Sequence, residues 1–119
     1  MSDFRFPRSR RIVTAADFQL FRSSRDRRRC SGYLLVRKRS GDSTARPRMG
    51  LIASRKVGNA VRRNRLRRVF RENFRQTPTD GLLGNDFLVI FLTESKTLDP
   101  TAMGNEFAEK LAAAKCHRR

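Results

Sequence analysis

Three apolar runs interrupt an otherwise polar chain: Tyr33-Leu34-Leu35-Val36, Met49-Gly50-Leu51-Ile52-Ala53-Ser54 and Phe87-Leu88-Val89-Ile90-Phe91-Leu92. The first two have the length of short strands, and the third is apolar throughout, as in a strand covered on both faces. Helices are announced by their caps. Thr14-Ala15-Ala16-Asp17 fits a capping box and predicts a short helix over 15–23 that brings Phe18 and Phe21 together. Asn59 can cap a second helix running to about Gln76, with Pro78 at its exit. Asp99-Pro100 reads as an N-cap followed by proline at the first helical position, and Met103, Phe107 and Leu111 then recur every four residues. Residues 40–47 read as a loop, and Pro78 to Gly81 and Gly84-Asn85-Asp86 as turns. No break is long enough to separate domains and no repeat is visible. One domain is expected over 1–119, with residues 1–10 and 117–119 as flexible ends.

The helix expected over 59–76 is two-sided. At about 100° per residue, Leu66, Val69, Phe70 and Phe74 fall within an arc of roughly 140°, while Asn64, Arg65, Arg67, Arg68, Arg71 and Arg75 fall on the other side. Glu72 is the one acid between Arg55 and Arg75. A row of like charge repels itself unless something anionic meets it. A solvated surface and an anionic membrane are the rival readings. The apolar arc is too narrow for a membrane and better used against a sheet.

The whole chain carries 28 Lys and Arg against 11 Asp and Glu, a net charge of +17 over 119 residues. Five of the 28 are Lys, leaving 23 Arg, a bias toward planar, bidentate phosphate contacts. The charge is segregated. Residues 1–75 hold 23 basic and 5 acidic side chains, and residues 76–119 hold 5 and 6. One part of the molecule meets a polyanion and the rest completes the fold. That balance argues against a small-metabolite enzyme, and patterned apolar runs argue against disorder. No stretch approaches the roughly 20 apolar residues of a membrane span, and no export signal precedes the fold, so a cytoplasmic protein with reduced thiols at Cys30 and Cys116 is expected. Hydrolysis by protein groups would need clustered carboxylates or histidines. The acids are scattered, and the one histidine, His117, stands near the end. Cys30, Cys116 and His117 receive no role, and no metal site is read.

Lys56-Val57-Gly58-Asn59-Ala60-Val61, followed by Arg63-Asn64-Arg65, Arg67-Arg68 and Phe74, resembles the signature of the protein component of bacterial ribonuclease P. Asp17-Phe18-Gln19 and the order of strands agree over about residues 8–115. The resemblance implies an α/β two-layer sandwich like domain 2 of ribosomal protein S5, with about three helices and a mixed sheet. It also implies a left-handed βαβ crossover, where general chirality alone predicts a right-handed one. It implies removal of the 5′ leader from precursor tRNA by a ribonucleoprotein. The catalytic RNA subunit holds Mg²⁺ and performs the hydrolysis, while the protein binds that RNA and the leader, broadens substrate range and aids metal binding. A basic ribosomal or RNA-chaperone protein without a processing role is the alternative, and a stand-alone nuclease a further rival.

By the same resemblance, Arg63, Asn64, Arg65, Arg67, Arg68 and Arg71 face the RNA subunit, where guanidinium groups bind phosphates and stack on unpaired bases. Asn64 either hydrogen-bonds RNA or fixes the local backbone. Phe18, Phe21, Tyr33, Ser54, Arg55 and Lys56 form the leader cleft, with aromatic faces stacking on bases without regard to sequence. Gly58 and Asn59 form the turn and cap before the basic helix. Phe18 and Phe21 can each be core residues instead, Phe21 more readily. Their interval is one residue shorter than the family's common spacing, and Val36 stands where some members have an aromatic.

Overall fold

The structure, a computed structural model, describes residues 21, 24–39, 44–78 and 81–114. Four strands form one mixed sheet: β1 (Asp26–Arg29), β2 (Tyr33–Arg39), β3 (Arg48–Ile52) and β4 (Asn85–Phe91), in the order β1-β2-β4-β3. β1 and β4 pair antiparallel with β2, and β3 pairs parallel with β4. Parallel neighbours require a crossover, and helix α1 (Ala60–Gln76) provides it between β3 and β4. Helix α2 (Pro100–Ala114) follows β4 after a 3₁₀ turn over Thr93–Thr97.

The alternation of side chains along each strand decides where the core lies. Tyr33, Leu35, Met49, Phe87, Val89 and Phe91 meet Leu66, Phe70 and Phe74 of α1 and Met103, Phe107 and Leu111 of α2 in one cluster. Phe70 is its centre. Its ring stacks on Phe107 at 4.7 Å and meets Phe91 and Tyr33 edge-on at 4.8 and 5.1 Å, geometries that aromatic quadrupoles favour. The two helices lie close enough that a Cβ at Gly104 of α2 would collide with Val69 Cγ1 of α1 and come within 2.7 Å of Asn73 Nδ2.

Both helix starts fall where the caps predict. Asn59 Oδ1 accepts from the Arg62 amide at 2.9 Å, and Asp99 Oδ2 accepts from the Ala102 amide at 3.2 Å. Thr77 closes α1, its hydroxyl donating to the Asn73 carbonyl at 2.7 Å. Five features depart from the expectations. Asn85 and Asp86, expected in a turn with Gly84, are the first residues of β4, paired with β2 and β3. β1 is a strand that the apolar pattern does not announce, because all four of its residues are charged and its pairing comes from β2. β2 continues through Arg37-Lys38-Arg39, held by β4 as far as Asn85. β3 ends at Ile52, and Arg55–Val57 forms a 3₁₀ turn capped by Ser54. Of about three expected helices, two lie among the described residues. The helix over 15–23, with Phe18, lies outside them.

Candidate nucleic-acid interface

Helix α1 presents its two sides as the periodicity requires. Leu66, Phe70 and Phe74 are buried in the core. Asn64, Arg65 and Arg68 are exposed, and Arg63, Arg67 and Arg71 are half-buried. Arg67 Nη1 donates to Asn64 Oδ1 at 3.4 Å, so the amide orients a neighbouring guanidinium. Arg63 stands apart from the others. It sits on the flank beside Phe70 and Phe74, and its Nε is buried with no acceptor among the described residues. Arg75 is drawn to Glu72 along the helix. Val61, 77% exposed, is an apolar knob at the start of this arginine ridge.

Arg62 does something the charge pattern does not reveal. It points inward and donates from Nη2 to the carbonyls of Ser95 and Leu98, fastening the first turn of α1 to the 3₁₀ segment after β4. Gly58, at φ +137°, makes room for this side chain, since a Cβ there would lie 2.8 Å from Arg62 Cδ.

The sheet face away from the helices forms a second surface. Leu34, Val36, Leu88 and Ile90 lie on it, and Phe21 packs over Val36 and Leu88. Phe21 is 2% exposed, with the Lys38 ammonium 6.0 Å from its ring centroid. Its ring is therefore a packing group in this structure, the core alternative of the two. At the other end of the same face Leu34, Ile90 and Ile52 stand side by side in register, with Ile52 37% exposed. Ser54, Arg55 and Lys56 follow directly, all exposed, with Ser54 Oγ accepting from the Lys56 amide at 3.3 Å. Across the sheet, Arg27 and Arg29 of β1 share this face, being paired with Val36 and Leu34. Arg27 donates to the Ser24 and Phe21 carbonyls at 3.0 and 3.1 Å, and Arg29 pairs with Glu94 at 2.7 Å.

Tyr33 requires a correction. It is 0% exposed and lies on the helix-covered face, edge-on to Phe70 and, at 6.3 Å, to Phe107. The helix-covered face and the opposite face of the strand are separated by one residue of register. Leu34, next in the chain, is the residue that reaches the open face. Burial raises both the Tyr33 phenol and the nearby Cys30 thiol above their ordinary values, so both hold their protons and Cys30 is a poor nucleophile. The arginines of β1 are the site residues missed. The Ser31-Gly32 pair between a charged run and an apolar run is the turn signal that could have found them.

Five acids among the described residues are engaged by neighbouring side chains or amides. Arg37 holds Asp26 at 2.6 Å and Arg48 holds the buried Asp86 at 3.0 Å. Glu72 and Glu94 pair with Arg75 and Arg29. Glu106 accepts from the amide and hydroxyl of Ser31, both at 3.1 Å. Among the described residues no three His, Cys, Asp or Glu side chains gather as metal ligands. No helix among the described residues is long and apolar enough to cross a membrane.

Comparison with known proteins bears on the family and the fold. A family model described as ribonuclease P matches residues 6–115. The ribonuclease P protein component of Geotalea uraniireducens is 31% identical over 111 residues, covering 93% of this chain and 96% of that protein. The corresponding protein of Desulforapulum autotrophicum is 36% identical over 86 residues, covering 71% and 70%. The solved structure of the Staphylococcus aureus RNase P protein superposes with a TM-score of 0.75 at 28% identity, covering 88% of this chain and 96% of that one. That of Thermotoga maritima gives 0.68 at 25% identity, covering 92% and 98%. The four-stranded mixed sheet and two helices are those of this family's structures. A chain matched over nearly its whole length in family, relatives and fold belongs to the bacterial ribonuclease P protein family, the protein subunit of a tRNA-processing endoribonuclease.

Proposed function

We propose that the protein works in the cytoplasm as the accessory subunit of ribonuclease P, holding the catalytic RNA with α1 and the 5′ leader of precursor tRNA with the open sheet face. The observation that carries this reading is the division of α1. Its apolar stripe is spent on the core, and Asn64, Arg65, Arg67, Arg68 and Arg71 are left on the outer side for an anionic surface. Arg63, on the flank, reaches the same RNA from the edge of the helix. The leader is taken by Ser54, Arg55 and Lys56, with Arg29 and the Leu34–Ile90–Ile52 row replacing Tyr33. Phe18 remains part of this proposed cleft. Aliphatic and cationic contacts of this kind follow a strand without reading its bases, which suits a processing enzyme that meets many leaders.

Mg²⁺ held by the RNA subunit would supply an activated water and charge stabilisation for the leaving oxygen. The chain's own groups bind and orient: cations neutralise phosphates, favour precursor over mature tRNA and indirectly tighten metal binding in the RNA. The S5-like assembly and the left-handed crossover are carried by the family resemblance.

The test is cleavage of precursor tRNA at low Mg²⁺ with protein alone, a bacterial ribonuclease P RNA alone, or both. Cleavage only with both, leaving a 5′-phosphate on the mature end, is expected. Cleavage by the protein alone overturns the accessory role, and no rescue of the RNA by the protein reduces the chain to a general RNA binder.

A further inference from the structure

The β1–β2 hairpin carries a third basic surface, used by neither RNA contact proposed above. Because strand residues alternate, Arg27 and Arg29 turn to the open face while Asp26 and Arg28 turn to the helix-covered side, opposite Arg37 and Leu35. There Asp26, Arg28, Leu35, Arg37, Phe87 and Lys110 line a pocket of about 20 Å³ between the sheet and α2. Leu35 and Phe87 are buried core residues and form its apolar part. Three cations and one carboxylate form the rest. That carboxylate, Asp26, is engaged by Arg37 Nε at 2.6 Å. Glu106, one helical turn before Lys110, accepts from the amide and hydroxyl of Ser31 and keeps its charge outside this lining. The lining itself thus carries three cations against one carboxylate.

Its size narrows the ligand. Such a volume admits about one water-sized group, too little for a base or a metabolite and enough for one phosphate oxygen. Convergent guanidinium and ammonium donors are the groups that hold such an oxygen. The position is separate from the proposed leader surface. Arg37 and Phe87 pair at the end of the sheet remote from Ile52 and Ile90, and the pocket opens on the opposite face.

We propose that Arg28, Arg37 and Lys110 form a phosphate-binding site for an RNA backbone running past the β1 edge, a contact additional to α1 and the open face. This rests on the RNA-binding function proposed above. The phosphate belongs either to the RNA subunit or to precursor tRNA, and the experiment separates them.

The test uses the full chain with Arg28→Gln and Lys110→Gln combined, and a charge-keeping pair, Arg28→Lys with Lys110→Arg. Affinity is measured across a salt series, first for ribonuclease P RNA and then for precursor tRNA by the assembled holoenzyme. The Gln pair is expected to lose on the order of tenfold in affinity for one of these RNAs, with a shallower salt slope by about 1–2 and an unchanged melting temperature, while the charge-keeping pair stays near wild type. Loss in the first assay assigns the phosphate to the RNA subunit, and loss in the second assigns it to the substrate. If the Gln pair melts early, Lys110→Gln alone carries the test, with about half the change in slope. Wild-type affinity and slope in both assays overturn the site. Failure of the wild-type protein to bind either RNA would overturn the reading beneath it instead.

Discussion

Arg62 and Arg65 lie three residues apart in one basic helix and differ in what they hold. Arg65 is exposed on the outer side, whereas Arg62 fastens α1 to the carbonyls of Ser95 and Leu98. Arg65→Ala should weaken binding of the RNA subunit several-fold and make the salt slope shallower by about 1, with no change in melting. Arg62→Ala should instead destabilise the fold by about 1–3 kcal/mol, because two carbonyls lose their donor, and leave the salt slope unchanged. Salt titrations and thermal melts on both variants check the pair. A second residue-scale effect concerns pH. The folded state raises Cys30 above its ordinary value of 9.0 and Tyr33 above its 10.0, chiefly through burial. The folded protein then binds these protons where the unfolded chain has released them. Their contribution is complete below about pH 9 and is lost as pH rises. The melting temperature should fall above that pH, and less so in Tyr33→Phe. Single residues were the least legible scale. The charge of every arginine could be read from the sequence, but not that Arg62 turns inward. Tyr33 was placed in the cleft, when strand alternation beside Leu35 puts its ring among Phe70 and Phe107.

Whole elements were far more legible where a period and a cap coincide. α1 has both, an apolar stripe at 3.6-residue spacing and Asn59 at its start, and it begins and ends at Ala60 and Gln76 as expected. β4 is read as easily, since a strand buried on both sides has no polar alternation to obscure it. β1 has neither mark. Asp26-Arg27-Arg28-Arg29 becomes a strand because Ser31 and Gly32 turn the chain back onto β2, a long-range cause that no local pattern carries. The packing of α1 on α2 was equally invisible, although Gly104 is where it is decided. Gly104→Ala places a methyl group against Val69 and Asn73, both on α1. The helices must then separate, at a cost of about 1–3 kcal/mol. A lower denaturant midpoint with an unchanged slope is the expected observation.

Across the molecule, the split between a basic first 75 residues and a nearly neutral remainder is what the sequence shows most directly. It foretells a polyanionic partner but not how the surfaces are arranged. The basic side chains are distributed over α1, the open face and both sides of the β1–β2 hairpin, and only the strand order β1-β2-β4-β3 explains how they come to lie on different faces. That order also makes β1 a border of the sheet, where backbone amides and carbonyls are available to any strand laid alongside. A second copy of this chain would bring its own Arg27, Arg28 and Arg29 to that border, with like charges meeting above and below the sheet. Like charge at the arginine-rich border therefore opposes edge-to-edge pairing of two copies.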